Sequence, residues 1–199
     1  MSAPKKHVVF DVVGTCVHYG SVVSAVDTRL GDRLRARCVT PLHLVNTWFE
    51  TAEREYTNLS ISGRYGTFDA CVKSLFYRVL WLAGIEEPRE FASDEDLEYI
   101  IDGYSRLEPR AGTAECFRIL RDAGFTVWGF TMGDKARVTG YLTRGGVDFT
   151  ADSLVSCDGL GVGKPAPEAY KHVLQRFGGE EAWFAAAHMW DVSSAKLTG

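Results

Sequence analysis

At 199 residues, with 46% hydrophobic and 24% charged residues, the chain is long enough for one well-filled core, or a core plus a small subdomain. A net charge of −4 without any basic block argues against a nucleic-acid or anionic-membrane surface, and no apolar run approaches the ~20 residues of a membrane span. The five cysteines are scattered and odd in number, without paired metal spacing, and the opening residues carry no apolar signal segment; both features point to a reduced, cytoplasmic setting.

The first element is a short apolar strand, His7 to Phe10, that stops at Asp11 and a Gly14-Thr15 turn. A β-branched run ending in a carboxylate and glycine fits the carboxyl end of a central parallel strand, where open α/β sheets bind their ligands. The same residues also read as plain turn chemistry. Ser21–Arg37 and Pro41–Leu59 follow with helical spacing, the second carrying Leu42, Val45, Trp48 and Phe49 on one stripe. After the break at residues 62–66, Phe68–Ala83 resumes the helical pattern until Gly84 stops it. Ser93 with three acidic followers reads as the cap of a helix running to about Arg106. Residues 17–107 are therefore expected to form a helical insertion after the first strand.

Strand and helix alternate only after Pro109. A helix is expected over Thr113–Ala123, a strand over Phe125–Phe130 ending at Thr131, and a helix from Asp134 to Thr143. Leu154–Ser156 reads as a strand, and Gly163-Lys-Pro-Ala-Pro167 as a turn into a helix reaching Phe177. Trp183–His188 is a fourth apolar strand, with Asp191 three residues beyond. The βαβα order implies a parallel sheet, and the insertion would lie over the carboxyl ends of its strands. Only one or two helical turns follow Asp191, so a last core strand is expected to be missing and a sheet edge left open for a second copy.

Four polar residues thus fall at four strand ends: Asp11, Thr131, Lys164 and Asp191. Asp11 could attack an electrophile, and Thr131, at a helix N-terminus, could hold an anionic oxygen. Lys164 could keep Asp11 ionised, while Asp191 could orient a water or hold a cation. Lys164-Pro165 also reads as a simple helix start, His18 as a hinge residue and His188 as a structural imidazole. The aromatic residues of the insertion, Trp81 and Tyr77 among them, read as its core, and Cys16 and Cys157 as buried thiols.

In this order the set resembles the haloacid dehalogenase superfamily of hydrolases. The matching stretches are Phe10-Asp11-Val-Val-Gly-Thr15, Phe130-Thr131-Met-Gly133, Gly163-Lys164-Pro-Ala-Pro-Glu-Ala-Tyr170 and Ala187-His188-Met-Trp-Asp191. The inserted helices, Trp48, Gly63-Arg-Tyr65 and Tyr170 look like the type II, 2-haloacid dehalogenase branch. The resemblance implies an α/β fold with a Rossmann-like parallel core over residues 1–16 and 108–199, and a helical cap over residues 17–107. It implies Asp11 as a nucleophile that forms an ester later hydrolysed by water, with Thr131, Lys164 and Asp191 as its catalytic partners. Thr15, His18, Phe49, Met132, Tyr170 and His188 are the expected substrate contacts.

The departures matter as much. The phosphatases of this superfamily place a second acid where this chain has Val13 and another at Ala187, which disfavours Mg²⁺ and leaves no metal or cofactor expected. The family's halide-binding arginine should follow the tryptophan of the first cap helix, where this chain has Phe49. The usual Ser-Asn pair is Thr131-Met132, and the Asn before the last Asp is His188. The expected function is a metal-independent hydrolase of a small or medium organic acid, possessing or lacking a halogen, with no nucleic-acid or membrane partner and with dimerisation across the open edge. Two alternatives stand beside it: a repurposed cyclase, lyase or isomerase of a larger metabolite, and a catalytically weak scaffold or binding protein.

Overall fold

The computed structural model describes residues 5–147, 149 and 151–199, with Ala151 described for its backbone alone. The first four residues, part of the opening stretch read above as carrying no apolar signal segment, lie outside the described residues. Strand β1 (Lys6–Asp11) is the centre of the fold, pairing in parallel with β4 (Phe125–Thr131) on one side and β6 (Ala182–Ala185) on the other. Strand β5 (Leu154–Ser156) completes a four-stranded parallel sheet in the order β5-β4-β1-β6. Val8, Val9, Val127, Phe130, Leu154 and Val155 are buried, as near-continuous apolar strands covered on both faces require. Helices α6 (Thr113–Asp122), α7 (Lys135–Arg144), α8 (Pro167–Gln175) and α9 (Met189–Thr198) connect or follow the strands. Strand β6 pairs with β1 alone among the described residues, so its outer side is a free edge.

Between β1 and α6 the chain builds five helices: α1 (Gly20–Arg35), α2 (Pro41–Ile61), α3 (Phe68–Leu82), the single turn α4 (Pro88–Phe91) and α5 (Asp94–Tyr104). Their starts are written locally. Thr40, Thr67 and Ser93 each accept a backbone N–H two or three positions into α2, α3 and α5, and Ser93 with Asp96 closes a reciprocal capping box. Asp96 also accepts from Arg29 Nε at 2.7 Å, tying α5 to α1. No helix among the described residues is long and apolar enough to cross a membrane.

Several expectations need correction. Leu42 and Trp81, read as interior, are 57% and 60% exposed. Helical spacing puts a residue on a stripe but cannot say how wide the buried stripe is. The strand expected over Trp183–His188 ends at Ala185, because Ala187 and His188 turn away to start α9. A two-residue antiparallel pair, β2 (Val17–His18) with β3 (Glu108–Pro109), joins the two crossings into and out of the helical insertion; segments this short carry no readable periodicity.

Candidate active site

The β1 register sets Asp11 opposite Phe130 and Phe10 opposite Ala185, so the carboxyl ends of β1, β4 and β6 open at one level. Asp11 is buried there, and both its oxygens are engaged. Oδ2 accepts from Thr15 Oγ1 at 2.6 Å, and Oδ1 accepts from Lys164 Nζ at 3.0 Å. The Thr15 hydroxyl in turn accepts from the backbone N–H of Ala187 at 2.9 Å, which locks its proton onto Asp11. The Gly14 turn that brings Thr15 back has φ +94°, a left-handed conformation that favours glycine.

Lys164 is fully buried and spans two carboxylates: besides Asp11 it donates to Asp191 Oδ2 at 2.8 Å. Its ammonium also sits 4.6 Å above the Phe130 ring. Burial alone would push the lysine pKa down. Asp11 and Asp191 outweigh it and hold the ammonium above the ordinary lysine value. Asp191 accepts its second hydrogen bond from the Tyr170 hydroxyl. With one hydrogen bond on each oxygen and no exposure, Asp191 faces Lys164 and Tyr170 rather than open space. The second acid that a Mg²⁺ site would add beside Asp11 is replaced by the apolar side chain of Val13.

The other expected contacts divide. Thr131 is buried and its hydroxyl accepts from the Gly133 N–H at 3.1 Å. It does not stand at a helix N-terminus: α7 begins at Lys135, and Asp134 takes the capping role by accepting from the Arg137 N–H at 2.8 Å. Tyr170 turns inward to Asp191 and Met132 packs half-buried against the core. His18 accepts from the Gly20 N–H at 3.0 Å and lines a separate groove with Ser24, Thr28, Tyr99 and Arg106, so the structure does not bring it to Asp11. Phe49 is buried, its ring 4.3 Å from that of Tyr19 and 5.1 Å from that of Tyr104, as part of an aromatic interior. His188 does come to the site: its Cε1 lies 3.1 Å from where a Cβ on Gly14 would stand.

Three residues that the sequence reading missed complete the surroundings. Tyr19 is half-buried beside Phe49, with its phenol pushed well above its ordinary pKa by desolvation and then by Tyr104, Glu53 and Asp11. Glu50 and Glu53, three apart on α2, share one helical face and reach His188. Burial pushes the Glu53 carboxyl up to about 7; His188 opposes the rise, while Glu50 and Asp11 add to it. The i, i+3 spacing of two acids beside a buried stripe was the available signal, but only the fold brings His188 to them.

The helical insertion is bonded to the strand side around this cluster. Tyr65 donates to Asp158 at 2.7 Å, the Gly163 N–H donates to Ser60 Oγ at 3.0 Å, and Arg137 pairs with Asp69. A Cβ on Gly163 would stand 2.5 Å from Cε1 of the fully buried Tyr56. Gly163→Ala is therefore expected to lower stability by about 1–3 kcal/mol, the usual cost of overpacking, and to disturb Lys164 next to it. Urea unfolding midpoints of variant and wild type check this; equal midpoints would mean that Tyr56 yields freely.

The chain was also compared with known proteins. The family model for haloacid dehalogenase-like hydrolases matches residues 5–199. The sequence is 26% identical to an (S)-2-haloacid dehalogenase of Pseudomonas putida over 195 residues, 96% of this chain and 80% of that protein. It is 25% identical to an (S)-2-haloacid dehalogenase of Xanthobacter autotrophicus over 197 residues, 98% of this chain and 72% of the relative. Among solved structures, the L-2-haloacid dehalogenase of Xanthobacter autotrophicus superposes with a TM-score of 0.79 at 23% identity, over 99% of this chain and 75% of that one. A dehalogenase crystallised with an intermediate complex superposes with a TM-score of 0.81 at 20% identity, over 100% and 84%. These superpositions bear on the fold.

Proposed function

The chain belongs to the haloacid dehalogenase-like hydrolases, and on that premise we propose that it hydrolyses a small organic acid through an ester on Asp11, with no metal ion at that carboxylate. The observation that carries this reading is the Lys164 clamp. A buried ammonium 3.0 Å from one oxygen balances the negative charge that a nucleophilic carboxylate carries and holds that oxygen in place. Asp191 and Tyr170 act through Lys164 as positioning residues, fixing the ammonium from its far side.

In the first step an Asp11 oxygen attacks the substrate carbon, the bond to the leaving group breaks, and the electron pair departs with that group. Water then adds to the Asp11 carboxyl carbon, and the ester C–O bond breaks to release a hydroxy acid and restore the carboxylate. Thr15 holds one oxygen of Asp11 throughout, so the attacking atom has a defined direction. Helices α1–α5, residues 17–107, serve in this reading as a cap that keeps bulk water from the ester, while residues 1–16 and 108–199 carry the chemistry. The relatives named 2-haloacid dehalogenases make a 2-haloacid the first substrate to try.

The test is a single turnover of 2-bromopropionate in ¹⁸O-water with enzyme in excess. The heavy oxygen is expected in the peptide that contains Asp11 and absent from the first-formed product. Halide release with the label in the product and none in Asp11 would overturn the nucleophile; no halide release would overturn the substrate class.

A further inference from the structure

We propose that Glu50, Glu53 and His188 form a binding site for one divalent transition-metal ion near Asp11 but not on it. One ligand atom from each of the three residues lies within 4.8 Å of the other two. They come from separate parts of the chain, two carboxylates from one face of α2 and an imidazole from the residue that precedes α9. Among the described residues, none of these three side chains closes a hydrogen bond within 3.5 Å or an ion pair within 4.0 Å. The polar ends converge on one space without bonding across it. An ion with ligands at about 2.0–2.2 Å fits such a gap, because it sets neighbouring donors roughly 3–4 Å apart.

The surroundings support a built position. His188 is held from two sides, its ring stacked on Trp190 at 5.6 Å and 20°, with the Gly14 turn beneath it. The imidazole is not used as a helix cap, so its nitrogens are free for a ligand. A half-buried Glu53 carboxylate with Glu50 and Asp11 near it is costly unless a positive charge joins them. The nearest buried cation, Lys164, is already shared between two other carboxylates. A cavity of about 320 Å³ gives access, lined by Glu50, Glu53, Thr57, Asn58 and Trp190, with the exposed Arg54 on its rim.

One imidazole and two carboxylates suit Zn²⁺, Co²⁺ or Mn²⁺ better than Mg²⁺ or Ca²⁺, which prefer all-oxygen shells. Three protein ligands leave a further position open. There the ion could take the anionic group of an organic acid. This use of the ion rests on the hydrolase reading above; its binding does not.

The experiment is titration of metal-stripped wild-type protein with Co²⁺, followed by calorimetry and visible absorption, with circular dichroism to confirm that each variant is folded. One Co²⁺ per chain is expected, with Glu53→Gln and His188→Ala each weakening it at least tenfold, the order seen when a metal site loses a partner. Asp11→Asn is expected to leave the affinity unchanged. Absence of binding up to millimolar Co²⁺, or wild-type affinity in either of these two variants, would overturn the site. So would a thiolate charge-transfer band, which would place the ion on exposed Cys38 or Cys116, or loss of binding in Asp11→Asn. Binding as expected with no turnover of a haloacid would leave this site standing and remove the substrate class instead.

Discussion

Asp11→Asn is expected to lower hydrolysis by about 10³-fold or more, the scale of losing a nucleophile, and to leave the fold intact. An amide oxygen is a poor nucleophile, so the ester does not form. The same amide oxygen can still accept from Lys164, and Asp191 remains as the counter-ion of that lysine. The Thr15 hydroxyl would have to turn its proton away, a loss of about one hydrogen bond, or roughly 1 kcal/mol. A gain in stability from relieving repulsion between Asp11 and Asp191, which their shared strand-end position would suggest, is not expected, because the ammonium lies between them. Turnover and urea unfolding measured on one preparation decide both points. Full activity in a folded variant would remove Asp11 from the chemistry, and a loss of several kcal/mol would show that its charge holds the fold.

Lys164→Met carries the largest stability effect. It leaves Asp11 and Asp191 buried without the cation that they share. Breaking a buried ion pair from one side typically costs about 3–5 kcal/mol. The pH dependence has a definite sign. Burial holds the Asp191 carboxyl above its ordinary value even with the lysine in place, and the variant loses the ammonium that opposes that rise. Such a carboxyl favours the folded state fully only below its unfolded value, near 3.9, and the favour is lost as pH rises through the raised folded value. The variant should therefore be closer to wild type near pH 4 than at pH 7. In the wild type the lysine behaves oppositely. Its raised pKa contributes stability below the ordinary lysine value, about 10.4, and loses it as pH climbs through the folded value. Urea midpoints of both proteins across this range would show it; a pH-independent difference would mean that the carboxyls find another partner.

Phe49 shows where reasoning along the chain misleads. Following Trp48, it stood at the position expected to face the substrate, with arginine as the relative's residue. In the fold its ring is closed in by Tyr19, Trp48, Phe68 and Tyr104. An arginine there would enter an aromatic interior, so Phe49→Arg reports on stability before it reports on a halide. The residues of α2 that do reach His188 are Glu50 and Glu53, and they reverse the expected charge.

What the sequence determined by itself is what depends on near neighbours. The helix starts at Thr40, Thr67 and Ser93 follow from a side-chain oxygen meeting a backbone N–H a few residues on. The apolar runs of β1, β4 and β5 follow from strands buried on both faces, and Asp11 and Thr131 follow from where two of those runs stop, whereas Lys164 stands in the loop before α8 and Asp191 in the first turn of α9. The tertiary structure decided everything that needs residues far apart to meet. Lys164 meets Asp11 across 153 positions of chain, and Asp191 faces Lys164 and Tyr170. Glu53 meets His188, and His18 turns to another groove. A spacing can place a carboxylate at a strand end, but which of its lone pairs remain free depends on every other group brought to the same few ångströms. That is a property of the packed chain, because burial forces each polar atom to find a partner and the partners come from wherever the fold delivers them.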